Sequence, residues 1–286
     1  METKFQGIPI LPKVVPIAGF LEGPYGEDIF REAQDRALKK YENAKPLLVI
    51  EYKDGVVQGS NPFYTVLVNE ILREGSQKLR TAAPADIERT LRAGDMLGIK
   101  GRHYVDTGLV LRSETDSYKR NDPLSRDLYN QLRKRVKLPV MIPLNGLDLK
   151  LDTNECGLGF NLREDAQLVH APILNKPGRF NTEDIDQETG LPKETGKEGS
   201  RQLYTREDGL SRLGLDGGLV LGSGWYYVDG SGAGGRVALC GEAASNENLD
   251  GLIADQVKYL EQERNRQIEV ATVRFNRALE VLKGKQ

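Results

Sequence analysis

Residues 209–241 read GLSRLGLDGGLVLGSGWYYVDGSGAGGRVALCG, and eleven of these thirty-three positions are glycine. Leucines recur at Leu213, Leu215, Leu219 and Leu221, with Gly, Asp and Val between them. Short apolar alternation broken by Asp-Gly and Ser-Gly predicts brief strands joined by tight turns. Charged residues make up 29% of the chain, yet between positions 213 and 235 only Asp216 and Asp229 are charged, and Lys, Glu and Gln are absent. An ordinary solvated surface is not built this way. Gly, Ser, Asp and Tyr around a single Trp is instead the composition of a paratope, where Tyr supplies rigid contact area and small residues supply adaptability.

A fixed apolar frame runs through the stretch: GLSRL-x-L, then L-x-L, then S-x-W, then GRV. With small or aromatic fillers between those elements, it resembles the variable proteins of diversity-generating retroelements. That resemblance implies a C-type-lectin-like fold with a variable segment, here about 210–240, near its C-terminal end. It also implies diversification through mutagenised adenines in asparagine codons. Such codons yield Gly, Ser, Asp, Tyr, Ala, Val or Leu, but never Trp, Lys, Glu, Gln or Met. Between positions 214 and 234, Trp225 alone is out of their reach. The implied ligand-binding positions are Gly214, Asp216, Gly217, Gly218, Val220, Gly222, Gly224, Tyr226, Tyr227, Asp229, Gly230, Gly232, Ala233 and Gly234. The implied function is hypervariable ligand binding without catalysis or cofactor, toward a protein or cell-surface ligand that the sequence does not name.

At 286 residues the chain can bury one large core or two small ones. A net charge of −2 gives no bulk attraction to nucleic acid or to an anionic membrane. The N-terminal stretch is interrupted by Pro9, Pro12 and Pro16, so it reads as neither a signal peptide nor a membrane span. This leaves the localisation open between a virion, the cell interior and a cell surface reached by another route.

Read in order, the chain predicts a helix over 27–44 with Ile29, Ala33, Ala37 and Tyr41 on one face. A strand is expected over 47–52, then a helix opened by Asn61-Pro62, a shorter one from Pro84, and a strand over 104–111. Asp122 is expected to cap a helix carrying Leu124, Leu128 and Leu132 inward. Strands are expected at 138–142, 147–151, 160–162 and 167–171, and a long polar surface loop, mobile in part, over 175–202. Residues 247–283 predict one long amphipathic helix with Ile268 and Phe275 in its apolar stripe, packed on the same chain in a monomer. The whole reads as α+β: a lectin-like domain with N-terminal helical elaboration over 1–245, and a C-terminal helix over 246–286. The two helices of the lectin-like core are expected at 62–82 and 123–135.

Other motifs are weighed against plainer readings. Residues 230–235 contain GxGxxG, but the following RVALCG is short and glycine-bounded, so a dinucleotide turn is not expected. His103 and His170 lack a second ligand at metal spacing. Asp148, Asp152, Asn154 and Glu155 could imitate a calcium set, but strand alternation and a turn explain them equally, and no metal is expected. Trp225 is expected in the core, at least one of Tyr226 and Tyr227 at the surface, and Arg236 as a tie between segment and frame. Cys156 and Cys240 are expected as reduced core thiols. The alternative is a formylglycine-generating type of oxidase, which shares the lectin-like fold and would need these two thiols together.

Overall fold

The structure, a computed structural model, describes residues 17–75, 79–94 and 99–241, with Ile268, Thr272 and Phe275. The chain divides into two compact units, Val14–Glu242 and a second made of Met1–Lys13 with Ala243–Gln286. In the second, Ile268, Thr272 and Phe275 have helical backbone, and Thr272 Oγ1 donates to the Ile268 carbonyl at 2.7 Å. Ile268 and Phe275 are exposed, so at these two positions the expected apolar stripe is not buried. The rest of the helix expected over 247–283 lies outside the described residues.

The first unit is mixed α+β. Strand β1 (Ile17–Phe20) leads into helix α1 (Gly23–Lys39), which begins and ends earlier than expected but buries the expected stripe of Ile29, Ala33 and Ala37, with Tyr41 just beyond. The expected strand at 47–52 is instead a short helix α2 (Lys45–Leu48) followed by a hairpin of β2 (Glu51–Lys53) and β3 (Val56–Gln58). Asp54 and Gly55 both take positive φ (53° and 81°), the tight turn that an Asp-Gly pair permits. Helix α3 (Pro62–Glu74) is capped by Asn61, whose side chain accepts the Tyr64 N–H at 2.9 Å. Every residue from Pro62 to Leu72 is buried, so α3 is the central helix of the unit. Strand β4 (Leu79–Thr81) and helix α4 (Pro84–Arg92) follow.

Strand β5 (Tyr104–Leu111) is central to the main sheet. Helix α5 (Asp122–Leu132) buries Leu124, Leu128 and Leu132 as expected. Asp122 is its first residue and not its cap; its carboxylate accepts the Asp116 N–H at 2.9 Å. Strand β6 (Val140–Pro143) starts just after Pro139, and β7 (Leu147–Leu151) and β8 (Leu158–Leu162) form a hairpin. Short strands β9 (Val169–His170) and β10 (Gly178–Phe180) precede β11 (Arg201–Thr205). The glycine-rich stretch then supplies β12 (Leu210–Leu215), β13 (Leu221–Trp225), β14 (Gly235–Arg236) and β15 (Ala238–Gly241). Among the described residues the main sheet runs β10-β11-β13-β12-β5-β6-β9, with β14 paired to β5; β1-β15-β4 form a second sheet.

Alternation on β5 separates two apolar layers. Leu109 and Leu111 join α1, α3 and α5 in the larger cluster, where Phe63 stacks on Phe160 at 4.6 Å. Val110 faces the other way, onto Leu203, Leu213 and Leu221. That second face is covered by Leu174, Phe180, Ile185 and Leu191, all buried. Residues 175–202 are therefore not the polar surface loop expected from composition. Their few apolar residues close the back of the sheet.

Candidate binding face

The face is built where β5, β12, β13 and β11 lie side by side. Near its middle the β5–β12 register shifts: Leu213 pairs with Gly108, but Gly214 pairs with Asp106, leaving Thr107 as an extra residue whose hydroxyl donates to the Leu213 carbonyl at 3.2 Å. Beyond this bulge Asp106, Gly214, Gly222 and Tyr204 form one row across the four strands. The alternate row of Val105, Leu215, Leu221 and Leu203 is buried on the opposite side.

Gly214 and Gly222 are the floor of the site. A Cβ on Gly222 would lie 2.7 Å from Cε2 and Cζ2 and 3.0 Å from Cη2 of Trp225, and one on Gly214 would lie 3.1 Å from Cζ3. Near-equal distances to three successive ring atoms place the indole face, not its edge, on the glycine. Trp225 is thus half-buried on the sheet, not in the core as expected from its being out of reach of the mutagenised codon. Tyr104 meets it edge-on at 6.4 Å, and the Arg212 guanidinium carbon lies 5.9 Å from its ring centre. Tyr226 and Tyr227 are both exposed, because the chain leaves the extended conformation after Trp225 and the adjacent rings pack together at 4.2 Å. Tyr118 completes this cluster at 4.8 and 5.4 Å.

The fourteen positions suggested by the sequence divide by available space. Gly214, Gly217 and Gly222 have none, since a Cβ would come within 2.8 Å of neighbouring backbone or the indole. Gly214 and Gly222 are buried and belong to the floor, a correction to their reading as display positions. Gly224 and Gly230 are tight at 3.1 Å. Gly218, Gly232 and Gly234 leave 3.2, 3.9 and 3.6 Å, and Gly218, Gly232, Ala233, Tyr226 and Tyr227 are exposed. Both aspartates are engaged within the chain. Asp216 accepts the N–H groups of Gly218 and Val220, and Asp229 pairs with Arg120 at 2.7 Å.

What holds these loops is their own carbonyls. Arg201 Nε donates to the Leu219 carbonyl at 3.0 Å, Arg112 to that of Ser223 at 2.8 Å, and Asn121 to that of Tyr226 at 2.7 Å. Arg212 donates to the Gly230 carbonyl and Arg236 to that of Ala233, each at 2.7 Å. Two of these arginines are fixed by buried bidentate pairs, Arg201 with Glu88 (2.6 and 2.7 Å) and Arg212 with Asp106 (2.6 and 2.8 Å). Ser60 Oγ also donates to Asp106 at 2.7 Å. Arg112 has no such pair, and burial pushes it down to about 10. Of these holding groups the sequence points to Arg236 alone, expected as a tie and found as one. Tyr204, Arg201 and Arg212 lie in or beside the segment without a signal that marks them, and Tyr104, Tyr118, Arg112 and Asn121 sit far away in the chain, where only the fold brings them to it.

The remaining motifs resolve locally. GxGxxG runs into the strand β14, not a helix, so it lacks the helix N-terminus that a pyrophosphate requires. His103 and Phe20 meet edge to face at 5.7 Å, and burial, then Arg236, lower the His103 pKa; His170 is exposed and its Nδ1 lies 2.9 Å from the Lys137 carbonyl. Asp148 pairs with Arg73, Asp152 accepts the Asn154 N–H, Asn154 accepts that of Cys156, and Glu155 faces Arg120. Cys156 and Cys240 are both free and buried in separate apolar clusters, not an exposed pair. Burial raises the Cys156 thiol to about 11 and pushes Cys240 up as well. Comparison with known families, characterised proteins and solved structures finds no match to this chain. No helix among the described residues is long and apolar enough to cross a membrane.

Proposed function

We propose that this chain is a non-enzymatic ligand-binding protein, a retroelement-diversified variable protein displaying a changeable face on a C-type-lectin-like frame. The observation that supports this best is the way the loops are held. Arg201, Arg112, Asn121, Arg212 and Arg236 grip backbone carbonyls, and none of these five is a display position. A carbonyl is present whatever side chain its residue carries. The loops can therefore keep their path while Gly218, Val220, Tyr226, Tyr227, Gly232, Ala233 and Gly234 change. Exposed tyrosines among small residues are the usual anchors of such a face.

The test is a library at those seven positions, encoded by the outcomes of a mutagenised asparagine codon and displayed on yeast. Selection against virus-host cell surfaces and purified surface proteins should return folded clones with different specificities. A library that folds but yields no binder would refute the reading. A reverse transcriptase gene beside a near-identical template repeat is the expected genomic setting.

A further inference from the structure

Ile268, Thr272 and Phe275 have helical backbone, and steps of four and three residues set them on one helix face. All three are exposed, Ile268 at 57% and Phe275 at 64%. A helix draws most of its stability from a covered apolar face, so two large apolar side chains left open on one face call for a partner. The sequence extends this face in both directions. Ile253, Val257 and Leu260 precede it, and Ala278 and Leu282 follow it, all by steps of three and four residues. That is the spacing of a seam between two helices. Arg264, four residues from both Leu260 and Ile268, is the one charged residue on the seam.

Charge indicates what covers it. Residues 247–263 carry five carboxylates (Glu247, Asp250, Asp255, Glu261 and Glu263) against Lys258 alone. Residues 264–283 carry five cations (Arg264, Arg266, Arg274, Arg277 and Lys283) against Glu269 and Glu280. A parallel pair would set like charge beside like along its whole length. An antiparallel pair centred on Arg264 sets each acidic half against a basic one. In that register Ile268 lies opposite Leu260 of the second copy, and Phe275 opposite its Ile253. Arg264 comes within a helical turn of Glu261 and Glu263 of the other chain, which compensates the single charge in the seam. We infer that residues 247–283 pair antiparallel with the same segment of a second copy, making the protein a two-fold symmetric dimer. Two binding faces then travel together, and weak binding at each gains by avidity. The pairing itself does not depend on what the face binds.

Sedimentation velocity of the intact protein from about 1 to 100 μM covers micromolar dissociation constants. The mass of two 31.8 kDa chains is expected. One chain's mass throughout would overturn the inference and give the seam to a different partner; three or more copies would overturn the two-fold pair. Ile268→Lys and Phe275→Glu, made singly at exposed positions, should each weaken the dimer at least about 100-fold by placing a charge in the seam. Each should leave the emission of Trp225, the only tryptophan, unchanged. A dimer that survives both substitutions would overturn the inference.

Cross-linking tests the orientation. Cys156 and Cys240 are buried, so engineered thiols react selectively. Positions 260 and 268 lie about 12 Å apart along a helix, beyond the reach of a disulfide. Under mild oxidation a mixture of Leu260→Cys and Ile268→Cys chains should form linked pairs, and neither variant alone should. Self-linking of either variant, or no link in the mixture, would overturn the antiparallel register.

Discussion

Trp225 and the two glycines beneath it show how a residue's role depends on its register partner. The sequence marks Gly214 and Gly222 as fillers like Gly232 and Gly234, because composition does not reveal which face a glycine lies on. Strand pairing separates them. Gly222→Ala places a methyl 2.7 Å from the indole, and Gly214→Ala places one 2.6 Å from the Val105 carbonyl. Each is expected to cost about 1–3 kcal/mol in a urea melt and to change Trp225 emission, as overpacking does. Gly232→Ala and Gly234→Ala are expected to stay within about 0.5 kcal/mol. Equal costs in the two pairs would show that the indole does not lie on the sheet. Leu219 is a similar case. Grouped with the apolar frame by its spacing, it sits at the hairpin tip with φ 60° and is only partly buried. Leu219→Gly, which removes the strain of a left-handed leucine, should therefore cost less than Leu221→Ala.

At the scale of elements, the strongest sequence signals were legible: the Ile29 stripe, the Asn61-Pro62 helix start, the Leu124 stripe and the 104–111 strand all appear. The misreadings have a common cause. Short apolar runs such as LLVI carry no period that separates a buried helical turn from a strand. Asp before Pro is a common helix start and suggests a cap at Asp122, but its carboxylate binds backward to Asp116 N and forward to Arg126. The bond from Asp116 N, and then Arg126, hold its carboxyl below the ordinary value. A lowered folded pKa means that the unfolded chain binds the proton more tightly. The contribution is thus fully present above the unfolded value near 3.9 and lost as pH falls through the lower folded one. Asp122→Asn should flatten the acid limb of the stability profile below about pH 4 and leave the slope at neutral pH unchanged. A neutral slope that changes instead would assign the group another role.

For the whole molecule, the sheet is a wall with different coverings on its two sides. Helices cover one side up to the row of Asp106, Gly214, Gly222 and Tyr204, and the face lies beyond them. Residues 172–191 cover the other side, through Leu174, Phe180, Ile185 and Leu191. Polar composition hid this, since four apolar residues spread over a polar stretch give no periodicity. Ile185→Ala and Leu191→Ala should each cost about 2–4 kcal/mol, whereas a solvated loop would make both near zero. On the proposed reading this backing leaves the front face free to vary, and one measurement bears on that most directly. Paired denaturant melts compare Tyr226, Tyr227, Gly232, Ala233 and Gly234, each changed singly to Ser or Asn, with Leu213→Ala, Leu221→Ala and Val237→Ala. If the face is a display surface, the first set stays within about 0.5 kcal/mol and the second costs about 2–5 kcal/mol. Equal losses in the two sets would mean that the glycine-rich segment is an ordinary part of the core and that its face is not free to change.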